Sequence, residues 1–141
     1  MGNQLSFFEY ENKFLNEFVP ACFWNCTDFT TIYLHGYEIN RRGQIRIIKT
    51  GKFRKPQVNK NAPYQMVNFT IDGKEIRCYV HRVVACTFIK CYNREKYCTV
   101  NHIDENKTNN HYTNLEWGTV SDNMTPFHIN RDKNQLKLLW K

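Results

Sequence analysis

Apolar residues near the start of the chain recur at helical spacing. Phe7, Tyr10, Phe14 and Phe18 fall three or four positions apart and predict one face of a helix. Ser6 and Glu9 have the spacing of a capping box, and Leu5 and Tyr10 could staple the first turn. Pro20 is expected to end this helix near Val19. Residues 21–35 are aromatic and threonine-rich, and a strand or an irregular packed segment fits them equally well. From Gly36 to Tyr79 the pattern turns to β. Short runs at Tyr37–Asn40 and Gln44–Lys49 flank a turn at Arg41–Gly43, and Thr50-Gly51 marks another turn. Over Tyr64–Ile71, Gln65, Val67 and Phe69 alternate against Met66, Asn68 and Thr70. Asp72-Gly73 is a hairpin turn, and Lys74–Val80 is its returning strand. Val80, Val83, Val84, Thr87 and Phe88 then predict a helix over Val80–Ile89. Two more strands follow, Cys98–Ile103 and Leu115–Trp117, separated by a loop dense in Asn, Asp and Thr; Thr119 or Ser121 can cap a last helix. The fold class is α+β.

Composition adds two constraints. With 141 residues, 41% of them hydrophobic, the chain can build a core and shows no sign of disorder. No apolar run reaches membrane-spanning length. No signal peptide is visible, so an intracellular protein is expected, with cytoplasm or nucleus left open. Met1-Gly2 with Ser6 fits a short myristoylation pattern, but Ser6 serves equally as a helix cap. Cys22, Cys26, Cys91 and Cys98 could make a zinc site, although their spacings are loose for one and buried free thiols account for them more simply.

The net charge of +7 becomes informative once it is located. Arg41, Arg42, Arg46, Lys49, Lys52, Arg54, Lys55 and Lys60 fall in one stretch without an acidic residue, whereas the first thirty residues hold Glu9, Glu11, Glu17 and Asp28 against Lys13. A one-sided basic stretch is what contact with a phosphate backbone requires. A solvated basic face is the plainer alternative.

The densest chemistry lies between Asn101 and Asn123. The strand–loop–strand–helix reading brings His102, the polar loop after it, and Asn123 at a helix start close together. Phosphodiester hydrolysis needs a base for water and a cation for the charge that grows on the phosphate. Histidine suits the first role, because its ordinary pKa lies near neutrality. The amide oxygens of Asn101 and Asn123 suit a hard cation such as Mg2+. Asn106, Asn109 and Asn110 read as a turn network, and Asp104 as a brace with a metal role left open. His81 either touches a phosphate or packs; His35, His111 and His128 read as structural, and Trp117 as core.

Asn101-His102-Ile103-Asp104, Asn106-Lys107, Asn109-Asn110 and Asn114-Leu115-Glu116-Trp117 form a string that resembles the HNH, or ββα-metal, endonucleases of the homing-endonuclease-like branch. Tyr37 to Arg46 resembles an element that often precedes such modules, and Lys55–Lys60 and the helix Val80–Ala85 are similar to the same family. The resemblance covers roughly residues 36–124. It implies a small β-hairpin-rich N-terminal part followed by a ββα-metal (His-Me finger) nuclease module. The expected divisions are 1–35, of unknown role; 36–79, a basic DNA-binding element; 80–130, the nuclease module; and 131–141, a tail. By position, the resemblance makes His102 the general base, Asn114 the residue that braces the loop and helps orient the histidine, and Asn101 and Asn123 the metal ligands. It implies one divalent ion, Mg2+ or Mn2+ ahead of zinc. It also implies DNA as partner and products with 5′ phosphate and 3′ hydroxyl ends; one active site per chain predicts nicking by a monomer, with a homodimer or two binding events for a double-strand break. An uncharged Asn101, and Pro126 inside the expected last helix, are the departures from the pattern. They motivate the alternative of an inactive DNA-binding derivative.

Overall fold

The computed structural model describes residues 6–119. Helix α1 spans Phe7–Asn16. It is followed by strands β1 (Val19–Trp24), β2 (Thr31–Ile39), β3 (Ile45–Ile47), β4 (Gln57–Asn59), β5 (Ala62–Ile71) and β6 (Lys74–Tyr79). Helix α2 (Val80–Phe88), strand β7 (Thr99–His102), a single 3-10 turn at Tyr112–Asn114 and strand β8 (Leu115–Gly118) complete the described chain. The strands form three antiparallel sheets, ordered β1-β2-β3, β4-β5-β6 and β7-β8. This is a mixed α+β architecture, as expected. Leu5, Gly2, Asn123, Pro126 and the predicted last helix and tail lie outside the described residues. Among those described, no helix is long and apolar enough to cross a membrane.

Helix α2 is the hub. Val80, Val83 and Val84 are fully buried, and they cluster with Leu34, Ile39 and Ile45 of the first sheet, Val67, Phe69 and Cys78 of the second, and Leu115 of the third; Ala85, also buried, faces Trp24, Cys98 and Trp117. The alternation read from β5 is realised: Val67 and Phe69 point inward, and Tyr37 packs edge-on against Phe69 with centroids 4.8 Å apart. Asp72 and Gly73 both take positive φ, 51° and 78°, so the β5–β6 hairpin closes on two residues. On the far side of α2, Trp24 stacks on Trp117 at 4.6 Å, and the Trp117 indole N–H donates to Ile89 O at 2.9 Å. Trp117 is core, as expected.

Two expectations are corrected. Helix α1 stops at Asn16, and Val19-Pro20 already belong to β1. That strand lies at the sheet edge, and its register shifts between Pro20 and Cys22, so a residue without an amide proton fits there. The aromatic face of α1 is also mostly unburied: Phe7 is 82% and Tyr10 61% exposed, although the capping box of Ser6 and Glu9 is formed. Phe14 makes the helix's main tie to the body. The Arg41 guanidinium lies 3.7 Å from its ring centroid and donates to its carbonyl at 3.1 Å. The segment at 21–35, open in the sequence, forms β1 and most of β2, and β2 runs through position 35 without a break.

Candidate active site

The β7–β8 ribbon carries the candidate residues. Asn101 pairs with Glu116 and His102 with Leu115, so alternation places the two candidate side chains on opposite faces of β7. His102 is buried, and its Nε2 lies 2.9 Å from Asn110 Oδ1. Asn110 is buried too, and its Nδ2 donates to Gln65 Oε1 of β5 at 2.9 Å. The direction of that second bond fixes the first. Asn110 presents its oxygen to the ring, so Nε2 carries the proton and Nδ1 keeps a lone pair.

Asn114 acts one step further out. Its Nδ2 donates to Asp104 Oδ1 at 2.9 Å and to Asn109 O at 2.8 Å, and its Oδ1 accepts from Asp104 N at 3.0 Å. Its backbone carbonyl accepts from Ile103 N at 2.7 Å. Asn114 therefore ties the loop together and makes no hydrogen bond to the imidazole, whose Nε2 meets Asn110 instead. Asn110 was expected to be only a turn residue. A signal for this pair was present in Gln65, a polar side chain in phase with the inward-facing Val67 and Phe69. The carboxylate of Asp104 is engaged within the loop, accepting from Asn109, Asn106 N and Asn114, and these bonds hold it below the usual carboxylate range.

Burial lowers the His102 pKa; the Asn110 bond and the Asp104 charge oppose that shift, and Lys107 adds to it. The imidazole is thus kept neutral near physiological pH. His81 sits beside it, with ring centroids 4.9 Å apart, and Tyr64 packs on both rings. Desolvation, with His102 and Arg82 nearby, takes His81 down to about 3.

Asn101 lies beside Gly118, where a Cβ would come within 2.9 Å of its Nδ2. The missing side chain makes room for the amide, which has no hydrogen-bonding partner among the described residues. A disengaged amide oxygen is a hard donor of the kind that Mg2+ or Mn2+ accepts alongside water. The donor chemistry therefore fits such an ion. Zinc finds less: among the described residues no three of His, Cys, Asp and Glu converge. Cys26 and Cys91 instead donate to backbone carbonyls, of Cys98 and Tyr97.

The basic stretch divides by residue type. Arg41 and Arg42 hold α1, the latter through Asn16 and Asn12; Arg46 pairs with Glu38; Arg54 donates to Asn68 O. Lys49, Lys52, Lys55 and Lys60 are exposed. The turn that carries Arg41 and Arg42 also docks on the loop after His102. Tyr112 N donates to Arg41 O at 2.9 Å, and Gly43 lies against Asn110.

Comparison with known proteins finds HNH endonucleases. Residues of this chain are 38% identical over 88 positions to the DNA endonuclease I-HmuI of Bacillus phage SP01, covering 62% of this chain and 49% of that protein. A solved structure concerned with DNA binding and cleavage by the HNH homing endonuclease I-HmuI superposes with a TM-score of 0.57 at 34% identity, over 72% of this chain and 59% of that one. Over the matched residues this chain is similar to the HNH homing endonucleases. An uncharacterised HNH endonuclease of Acanthamoeba polyphaga mimivirus is 37% identical over 90 residues, which is 64% of this chain and 26% of the viral protein. No family model matches the chain. It spans about half, or less, of the length of the curated HNH relatives it matches.

Proposed function

We propose that this chain is a divalent-metal-dependent DNA endonuclease in which His102 is the general base. The observation that supports it best is the held imidazole: buried, neutral, and tied at Nε2 through Asn110 to Gln65, so that Nδ1 is the nitrogen left for water. Water oxygen attacks phosphorus, its proton passes to His102 Nδ1, and the 3′ oxygen leaves, giving 5′ phosphate and 3′ hydroxyl ends. A bound Mg2+ or Mn2+ neutralises charge on the phosphate and the departing oxygen. Asn101 is one proposed ligand. Asn123 is the other; it stands four positions after Thr119, a step that extends at most about 14 Å. Lys49, Lys52, Lys55 and Lys60 supply backbone affinity with little sequence choice, helped by whichever faces of Arg41, Arg42, Arg46 and Arg54 stay open. One such site per chain nicks one strand, and a double-strand break requires a homodimer or two binding events.

Supercoiled-plasmid cleavage tests the reading. Wild type with Mg2+ or Mn2+ is expected to nick, and EDTA or His102→Ala to abolish nicking. DNA binding without nicking under either metal would transfer the chain to the inactive DNA-binding class.

A further inference from the structure

Beside His102, and sharing Tyr64 and His81 with its surroundings, lies a cavity of about 460 Å³. Its walls include Tyr64, Arg77, Tyr79, His81, Arg82 and Thr99, and among the described residues no aspartate or glutamate. It forms where β6 runs into α2. The N-cap of that nine-residue helix, Tyr79, makes no side-chain capping bond, so the positive end of the helix dipole has no protein partner of that kind. His81, in the first turn, is 91% buried, being 9% exposed, and its ring has no hydrogen-bonding partner among the described residues. Its Nδ1 is sealed from solvent. A sealed lone pair is tolerated better than a sealed N–H, so the favoured tautomer places the proton on Nε2, the other nitrogen of a ring that lines the cavity. The Arg77 Nε donates to Asn68 Oδ1 at 2.9 Å, and its terminal nitrogens have no partner among the described residues. Arg82 is committed to Trp24 O and Cys98 O, yet its charge remains at the wall. Two tyrosine rings, Tyr64 and Tyr79, meet edge-on at 5.6 Å beside these donors.

An uncapped helix start, an unpartnered buried imidazole, a half-engaged arginine and two aromatic rings call for an anion attached to a flat group. We propose that this cavity binds one nucleotide of the DNA strand next to the phosphate that is cut, with its phosphate on His81 and Arg77 and its sugar or base against Tyr64 and Tyr79. The site rests on the endonuclease reading for its strand, and it gives that reading a register: DNA is fixed on one side of His102 by a contact independent of the lysines. The His81 contact is a neutral hydrogen bond, because burial keeps that ring uncharged. The Arg77 contact is ionic. The two therefore have different signatures in salt.

The test is binding of a labelled DNA duplex by the full chain in EDTA, where no cleavage occurs, followed by anisotropy across a salt series. His81→Phe keeps an aromatic ring and removes the donor. It is expected to weaken binding by about tenfold at every salt concentration, as loss of a hydrogen bond to a charged group implies, with the salt slope unchanged. His81→Gln, which keeps a donor, is expected to bind close to wild type. Arg77→Gln, at an exposed position and safe for the fold, is expected to flatten the slope of log affinity against log salt by about 0.9. Wild-type affinity and slope in both His81→Phe and Arg77→Gln would overturn the site while leaving the endonuclease reading intact. If His81→Phe fails to fold, the unchanged slope of Arg77→Gln alone suffices to overturn it. Loss of binding in these variants, with no nicking by wild type in metal, would keep the nucleotide site and refute the nuclease. No DNA binding by wild type would refute both.

Discussion

Asn110 accepts from His102 and donates to Gln65, so removing its amide releases the imidazole and strands a buried N–H. Asn110→Ala is expected to cost about 1–3 kcal/mol of stability, the usual result of leaving a buried donor unpaired. It is also expected to slow nicking by roughly 10–100-fold, the range seen when an outer-shell partner of a site is removed. Thermal melts and plasmid kinetics on one preparation check both; a slowed rate without lost stability would mean that Asn110 touches substrate instead. His81 has a different signature, in pH. Its pKa is about 3 in the fold and near 6.5 when unfolded, so above 6.5 neither state holds the proton. Between 6.5 and 3 the unfolded chain takes up a proton that the folded chain refuses, and stability falls as pH falls. The expected loss is on the order of 1 kcal/mol per pH unit across that window. His81→Phe should lose this component, so denaturant unfolding from pH 7 to 4 should fall less steeply in the variant; equal slopes would show that the folded chain can protonate His81.

At the level of elements, the legible parts were those in which one local pattern decides. The β5–β6 hairpin followed from Asp72-Gly73 and strict alternation, and α2 from its apolar spacing, because both elements bury the faces their sequences mark. Helix α1 misled because its aromatic stripe resembles a core stripe, whereas Phe7, Phe8 and Tyr10 are exposed and only the later Phe14 and Phe18 among its aromatics are even partly covered. Its cap was legible because capping is local. The site was half legible. His102, Asn101 and Asn114 stand out along the chain, but the Asn110–Gln65 clasp joins side chains 45 positions apart and exists only after β5 packs beside the loop. The docking of the β2–β3 turn on that same loop was equally hidden, and it makes Gly43 a sensitive position. Its φ is +86°, and a Cβ would lie 3.1 Å from the Asn110 carbonyl oxygen. Gly43→Ala is expected to cost about 1–3 kcal/mol, from backbone strain and crowding of backbone rather than of a side-chain tip. It should slow nicking as well, by moving Asn110. Gly51→Ala shares the positive φ but meets nothing within 4 Å, and it is the control that separates strain from displacement of the site.

Across the whole molecule, the +7 charge is not one uniform binding surface. The arginines of the basic stretch bond inward, to Phe14 O, Asn16, Glu38 and Asn68 O, so they fasten α1 and the hairpins to the body. The lysines face solvent. This division follows from chemistry. A guanidinium offers several fixed donors and can hold a carbonyl while stacking on a ring, whereas an ammonium is strongly hydrated and keeps its charge at the surface. Substitution should therefore separate the two groups. Replacing Lys49, Lys52, Lys55 and Lys60 together by Gln is expected to leave the melting temperature nearly unchanged. Each lysine that contacts phosphate should remove about 0.9 from the slope of log affinity against log salt. Arg41→Gln is expected to do the reverse, lowering stability by about 1–3 kcal/mol through loss of the Phe14 stack and a part-buried bond to its carbonyl, with little change in slope. If the lysine variant instead keeps the full salt slope, the DNA runs elsewhere on the molecule. The cavity at the start of α2, with Arg77 at its wall, would then be the place to begin tracing it.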